Sequence, residues 1–258
     1  MAIKINGTES RYTILHNGKK LKKGYHNGET EIWSAGSVVT YIFNRETFME
    51  EEVDYGESVL RTMYTPNMEG GTFVGWTTDI NGNEPLTELL ADGKPITLYS
   101  IFRVKIINDS ILYKSMATSS NCSKLTSYNK AFTCFGVYLR RSGDEGSITV
   151  NGSLTLDDMF IGKKIYWKAL YSVFNAIHGT NKGCYGRISN DGEYLFDETD
   201  PSYTNGLDFG YFGEGEFVLN DKTFAIESNL SREADDDQAT QFFDSIVGFT
   251  NMYAVGVF

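Results

Sequence analysis

Asn-Gly recurs three times near the start of the chain, at Asn6-Gly7, Asn17-Gly18 and Asn27-Gly28. This dipeptide readily takes the positive φ angles of a two-residue hairpin turn, so each occurrence reverses the chain between two short extended arms. Leu15-His16-Asn17-Gly18-Lys19 and Tyr25-His26-Asn27-Gly28-Glu29 are near-copies, and Ile32 and Trp33 close the second arm. A meander this small does not hold alone and leans on the next part of the chain or on a neighbouring subunit. The pattern persists in diluted form: 26 glycines, only four prolines and 14% aromatic residues punctuate short alternating segments, which is the make-up of an all-β chain with tight turns.

With 258 residues the chain is long enough to bury a sizeable core without staples. Cys122, Cys134 and Cys184 are odd in number and widely spaced, which suits buried reduced thiols better than a disulfide framework or a zinc knuckle. A formal charge of −11 speaks against a nucleic-acid partner, which needs a concentrated basic face. The run Lys19, Lys20, Lys22, Lys23 opposes that balance; it reads as a lysine-protected edge strand, or as a contact for an acidic partner subunit. No stretch approaches the ~18 apolar residues of a membrane span, and Met1-Ala2-Ile3-Lys4-Ile5 reads as a strand rather than a secretory signal.

From Gly36 the strands lengthen. Strands are expected at 38–43, 50–60, 72–77 and 96–102, with 86–90 as one helical turn or a short loop. Gly75 lies between Phe73 and Trp76, where it lets a neighbouring group come close. Phe73, Trp76 and Tyr99 are the expected core of this part.

These segments carry a resemblance. Val39-Thr40-Tyr41-Ile42-Phe43, Tyr55-Gly56-Glu57-Ser58-Val59, Gly71-Thr72-Phe73-Val74-Gly75-Trp76 and Ile96-Thr97-Leu98-Tyr99-Ser100-Ile101-Phe102 together resemble the Listeria–Bacteroides repeat, or internalin B-repeat. The resemblance covers about a quarter of the chain. It implies a β-grasp-like module of the kind found in bacterial surface proteins and phage virion proteins. Phe102 stands where the repeat often ends in tryptophan, and the module occurs once. The segment from Tyr25 to Tyr41, running into it, is similar to openings of tail-region proteins of gut bacteriophages.

Beyond Arg103, a strand is expected at 104–107, a Ser/Thr/Asn-rich loop at 115–130 and a strand at 131–140. Ser142-Gly143-Asp144-Glu145-Gly146 reads as a boundary, so the expected domains are 1–36, 37–103, a connecting segment 104–146, and 147–258. The last begins with an alternating hairpin at 147–156 and continues through strands at 165–174, 185–196, 207–212, 216–219 and 223–227. One helix is expected, from Ser231 as cap to Phe243, and a final strand at 249–258. The spacing suggests a β-sandwich or jelly roll.

Chemical signals are sparse. His16, His26 and His178 are too scattered for a metal site, and no Gly-x-Ser-x-Gly elbow is present for a hydrolase triad. Asp191, Glu193, Asp197, Glu198 and Asp200, with Asp157-Asp158 and Asp235-Asp236-Asp237, supply carboxylates for a glycosidase pair, but such runs in an acidic chain read first as solvated loops. Oxygen ligands at alternate positions from Asn190 to Asp200 suit calcium, although the spacing departs from the EF-hand pattern. No other cofactor is expected. Trp167, Tyr194, Tyr203, Tyr211 and Phe212 are the candidate binding surface, since aromatics with a polar handle are favoured where one face stays wet.

The expectation is a non-enzymatic structural virion protein of a tailed phage, made in the host cytoplasm and placed on the tail, baseplate or capsid surface. Its partners are other virion subunits, further copies of itself and a host-surface glycan or protein, with no membrane insertion. A capsid decoration or head-fibre protein, a bacterial cell-surface adhesin and a carbohydrate-active enzyme are the alternatives.

Overall fold

The computed structural model describes residues 36–106, 135–137, 149–172, 184–199, 211–229 and 245–258 with their side chains, and the backbone alone of the further strands named below. The fold is all-β; among the described residues the one helical element is a 3-10 turn at Asp158–Phe160. The chain divides into two compact units, Met1–Arg103 with Gly256–Phe258, and Val104–Val255.

The first unit opens with three antiparallel hairpins: β1 (Ala2–Ile5) with β2 (Thr8–Arg11), β3 (Leu15–His16) with β4 (Lys19–Lys20), and β5 (Lys23–His26) with β6 (Thr30–Ser34). The pairs Ile5↔Thr8 and His16↔Lys19 bracket Asn6-Gly7 and Asn17-Gly18, and His26↔Thr30 brackets the segment that begins with Asn27-Gly28. These Asn-Gly residues themselves lie outside the described residues.

The module after these hairpins is built from β7 (Ser37–Phe43), β8 (Glu46–Val53), β9 (Gly71–Thr77) and β10 (Ile96–Lys105). Asn44 and Arg45, at φ 51° and 64°, turn β7 back onto β8, so the second strand starts and ends earlier than the expected 50–60. β10 runs parallel to β7, from Ile96↔Val39 to Tyr99↔Ile42, and also pairs with β9. Residues 86–90 form no helical turn. The backbone of 89–91 serves 56–59 instead: Gly56 donates to the Ala91 carbonyl at 2.8 Å and Val59 to that of Leu89 at 2.9 Å.

Val39, Tyr41, Val53, Val59, Trp76, Ala91 and Leu98 make the core, with Phe73 packed against it. The Trp76 ring meets Tyr41 edge-on at 5.0 Å and Phe73 at 5.3 Å. Tyr99 is half-buried and follows Leu98 on β10, so it faces away from this cluster. Gly75 admits Pro85, whose Cβ would lie 2.7 Å from a Cβ on residue 75. Glu51 gathers the polar groups at the module's rim: its carboxylate accepts from the Tyr41 hydroxyl at 2.8 Å and from Arg61 Nε and the Tyr64 hydroxyl, each at 3.2 Å.

In chain order the second unit contains β11 (Tyr113–Thr118), β12 (Ser123–Leu125), β13 (Phe135–Ser142), β14 (Gly146–Leu156), β15 (Lys164–Phe174), β16 (Thr180–Asn181), β17 (Cys184–Asn190), β18 (Glu193–Asp200), β19 (Tyr203–Thr204), β20 (Phe209–Val218), β21 (Thr223–Glu233) and, up to Val255, β22 (Phe242–Val257). One antiparallel sheet runs β12-β13-β22-β15-β20, and the other β11-β14-β21-β17-β18, with β16 and β19 extending from the end of β21. The sheets pack face to face as a sandwich. Phe224 of one meets Phe249 of the other edge-on at 5.4 Å, and the Ser228 and Ser245 hydroxyls join across the interior at 2.7 Å.

Three local expectations are corrected. Ser231, Arg232 and Glu233 are not the start of a helix but the end of β21, held by the ladder Ser147↔Ser231 and Gly146↔Arg232. Phe242 and Phe243 open β22, and the Asp235-Asp236-Asp237 run lies outside the described residues. The supposed hairpin at 147–156 is one continuous strand, because Asn151 and Gly152 stay in register with Glu227 and Ile226. Within the supposed loop at 115–130, residues 115–118 end β11 and 123–125 form β12, held by backbone hydrogen bonds that need no apolar side chains; the rest of it lies outside the described residues.

Candidate functional site: a tyrosine-walled cleft on the sandwich

Strand alternation sorts the side chains of β15. Ile165, Trp167 and Ala169 are buried, whereas Tyr166 and Lys168 lie on the opposite face. On β20 the corresponding alternation places Glu214 and Glu216 outward and Gly213 and Gly215 inward. Both glycines have a steric reason. A Cβ at 215 would fall 2.9 Å from the Trp167 ring, and one at 213 would fall 2.6 Å from the ring of Phe196. Trp167 is therefore a core residue, 7% exposed, laid against a glycine strand.

The outward residues converge across three strands. The ladder sets Tyr166 beside Glu216 and Tyr253, and Lys168 beside Glu214 and Asn251. Together they line a cleft of about 460 Å³, within the ~300–1,000 Å³ of small-ligand sites. The rings of Tyr166 and Tyr253 stack with centroids 4.8 Å apart and planes 13° from parallel, and Lys164 Nζ lies 5.5 Å from the Tyr166 centroid. Lys164 pairs with Glu216 at 2.9 Å and Lys168 with Glu214 at 2.6 Å. The hydrogen bond and charge of Glu214 raise the Lys168 ammonium above its ordinary range, and the same contact holds the Glu214 carboxyl below its own.

The five aromatics marked from the sequence do not converge. Trp167 is among the residues that line the cleft, although its ring packs inward against Gly215; Tyr194, 60% exposed, lies on β18 in the other sheet; Tyr211 stacks parallel to Tyr171 at 6.5 Å. Phe212, 76% exposed, follows Tyr211 on β20 and so faces the other way, and the Tyr203 side chain lies outside the described residues. Tyr194 instead joins a second cluster, where the Arg187 guanidinium lies 4.1 Å from the Tyr185 centroid and 5.3 Å from that of Tyr194 while Arg187 Nε donates to Asp197 at 2.7 Å.

The acidic run from Asp191 is a hairpin, turned by Asp191 and Gly192 at φ 51° and 79°. Asn190, beside it, is buried and donates to the carbonyls of Asp221 at 2.6 Å and Thr223 at 3.0 Å. Asp157 accepts from the Met159 amide at 3.0 Å, and Asp158 pairs with Lys222. Among the described residues no group of three or more His, Cys, Asp or Glu is placed to hold a metal ion. Cys184 is buried; Cys122 and Cys134 lie outside the described residues, as does His178.

The cleft was missed because its signal is spread out. Lys164-x-Tyr166-x-Lys168, Glu214-x-Glu216 and Asn251-x-Tyr253 each show a polar or aromatic residue at every second position, but only the strand order brings the three together.

No protein-family model and no curated protein matches the chain. Among solved structures it is similar to an arabinose-bound α-L-arabinofuranosidase (TM-score 0.29, 11% identity, 59% of this chain and 26% of that one). It is also similar to the Gx strain of infectious bursal disease virus (0.31, 8%, 68% and 44%) and to TmCBM61 in complex with beta-1,4-galactotriose (0.26, 7%, 57% and 91%). The chain spans less than half the length of the first two. At such TM-scores these similarities carry no functional weight.

Proposed function

We propose that this chain is a structural virion protein of a tailed bacteriophage, associated with the tail or baseplate, which assembles with other virion subunits and attaches the particle to the host surface through the outer face of its sandwich. The resemblance of residues 38–103 to a module of surface and virion proteins supports the compartment. The cleft between Tyr166, Tyr253, Lys168 and Glu214 carries the attachment role, because its charged groups are already engaged with one another and are held ready for recognition. Lys168 holds the Glu214 carboxyl below its ordinary range, so this group is not the raised acid of a glycosidase pair. Multiple copies on a particle turn weak individual contacts into firm adhesion.

Two measurements test the reading. Mass spectrometry of purified particles is expected to find the chain as a particle component, and the purified protein is expected to compete with particles for adsorption to host cells. Recovery from bacterial envelopes alone, never from particles, would overturn the virion assignment in favour of a cell-surface adhesin. A particle protein that fails to compete would leave a capsid decoration role.

A further inference from the structure

The attachment reading leaves open what chemistry the cleft takes, and its charge balance narrows the choice. The chain carries a formal charge of −11, yet each of the two glutamates that line the cleft is matched by a lysine, Glu214 by Lys168 in the lining and Glu216 by Lys164 beside it. An acidic ligand has to draw a lysine away from its glutamate, and a basic ligand has to do the reverse. A neutral polyhydroxyl ligand breaks neither contact. It uses the remaining donor and acceptor capacity of these groups, since an ammonium has three protons and a carboxylate about four lone-pair sites.

The rest of the lining has the same character. Asn251 adds an amide that both donates and accepts, matching ring hydroxyls, which do both. Tyr166 and Tyr253 stack face to face at 4.8 Å, so each covers one face of the other, and the stack presents its edges and remaining outer face as a rigid apolar wall for the C–H groups of a sugar ring. Their rings sit in place before any ligand arrives, which lowers the ordering cost of binding.

Resting on the attachment reading, we propose that the cleft is a subsite for a neutral pyranose of a surface glycan, with the sugar ring against Tyr166 and Tyr253 and its hydroxyls on Lys168, Glu214 and Asn251. The test is an oligosaccharide array probed with the full-length protein. Neutral oligosaccharides of glucose, galactose and N-acetylglucosamine are set beside uronate- and sialate-bearing ones, and the same preparations enter the adsorption-competition assay.

Binding to neutral members is expected. Tyr253→Leu, which keeps apolar bulk without the ring, and Asn251→Ala are each expected to weaken it up to about tenfold while the protein stays folded at the assay temperature. The pair Glu214→Gln with Glu216→Gln, which removes both negative charges from the lining and leaves Lys168 without its glutamate, is expected to admit uronates. Wild-type binding confined to acidic members, binding insensitive to both Tyr253→Leu and Asn251→Ala, or no binding to any saccharide overturns the proposal. In each of these cases, continued blocking of particle adsorption shows that the attachment reading survives, and loss of blocking shows that both fail.

Discussion

Gly186 lies against the ring of Tyr171 so closely that a Cβ on residue 186 would fall 2.3 Å from Tyr171 Cδ2 and 2.9 Å from its Cβ. These two residues stand on facing sheets, and the contact sets how near β15 and β17 approach each other. The clash involves the root of the tyrosine side chain as well as its ring, so rotation gives little relief. Gly186→Ala is expected to destabilise the sandwich by about 1–3 kcal/mol, the usual cost of overpacking, measurable as a lower urea midpoint. An unchanged midpoint would show that the sheets separate freely here.

Gly75 tests the first unit in the same way. A Cβ there meets the Cβ of Pro85 at 2.7 Å, and a proline ring cannot swing aside. Gly75→Ala is expected to shift the packing of Trp76, whose fluorescence reports on it, and to lower stability by about 1–3 kcal/mol. Gly192→Ala also places a Cβ at a positive φ, but into open space, so a comparable loss of stability with no change in Trp76 fluorescence is expected there. Equal fluorescence changes in both variants would argue against the Pro85 contact.

The Tyr41 phenol is held neutral well above the ordinary tyrosine range, first by burial, then by its hydrogen bond to Glu51 and that residue's charge, with Arg61 opposing. The folded state therefore keeps this proton longer than the unfolded chain. Its contribution is complete below ~10, where the unfolded tyrosine titrates, and declines as pH rises from there towards the folded value. Tyr41→Phe is expected to cost ~1.5–3 kcal/mol at neutral pH, the worth of a hydrogen bond to a charged group. It should also flatten the alkaline fall in stability by the share of one proton. Denaturation curves across the alkaline range check both; a fall of unchanged steepness would sink the assignment.

Asn190 offers a further check, because it ties the end of β17 to the start of β21 through the carbonyls of Asp221 and Thr223. Asn190→Ala leaves two carbonyls without this donor, and a loss of ~1–3 kcal/mol is expected for buried polar groups stripped of a partner. A Tm equal to that of the wild type would mean that water replaces the amide at no cost.

At Lys168 and Glu214 the expectation reverses. Both side chains are largely exposed, and such pairs contribute little to folding. Glu214→Gln is expected to leave the thermal midpoint where it was while altering ligand preference. A marked drop in the midpoint would mark the pair as structural and weaken its claim to a binding role.

Local chemistry made much of this fold legible in the residue order. Asn-Gly placed the first reversals, runs of β-branched and aromatic residues marked β7, β9 and β10, and Gly75 announced a close neighbour, because turn conformation and strand propensity are properties of a few consecutive residues. What depended on partners distant in the chain was not legible. Ser231 looks like a helix cap until Ser147 pairs with it, and Trp167 looks like a sugar platform until Gly213 and Gly215 are seen beneath it. The meeting of Tyr166 with Tyr253, and of two lysines with two glutamates, belongs to the ladder among β20, β15 and β22. The sequence by itself therefore determined that the chain is β and where much of it turns. Only the tertiary structure decided which faces meet and where the cleft lies, because strand order and register are settled by long-range pairing and burial.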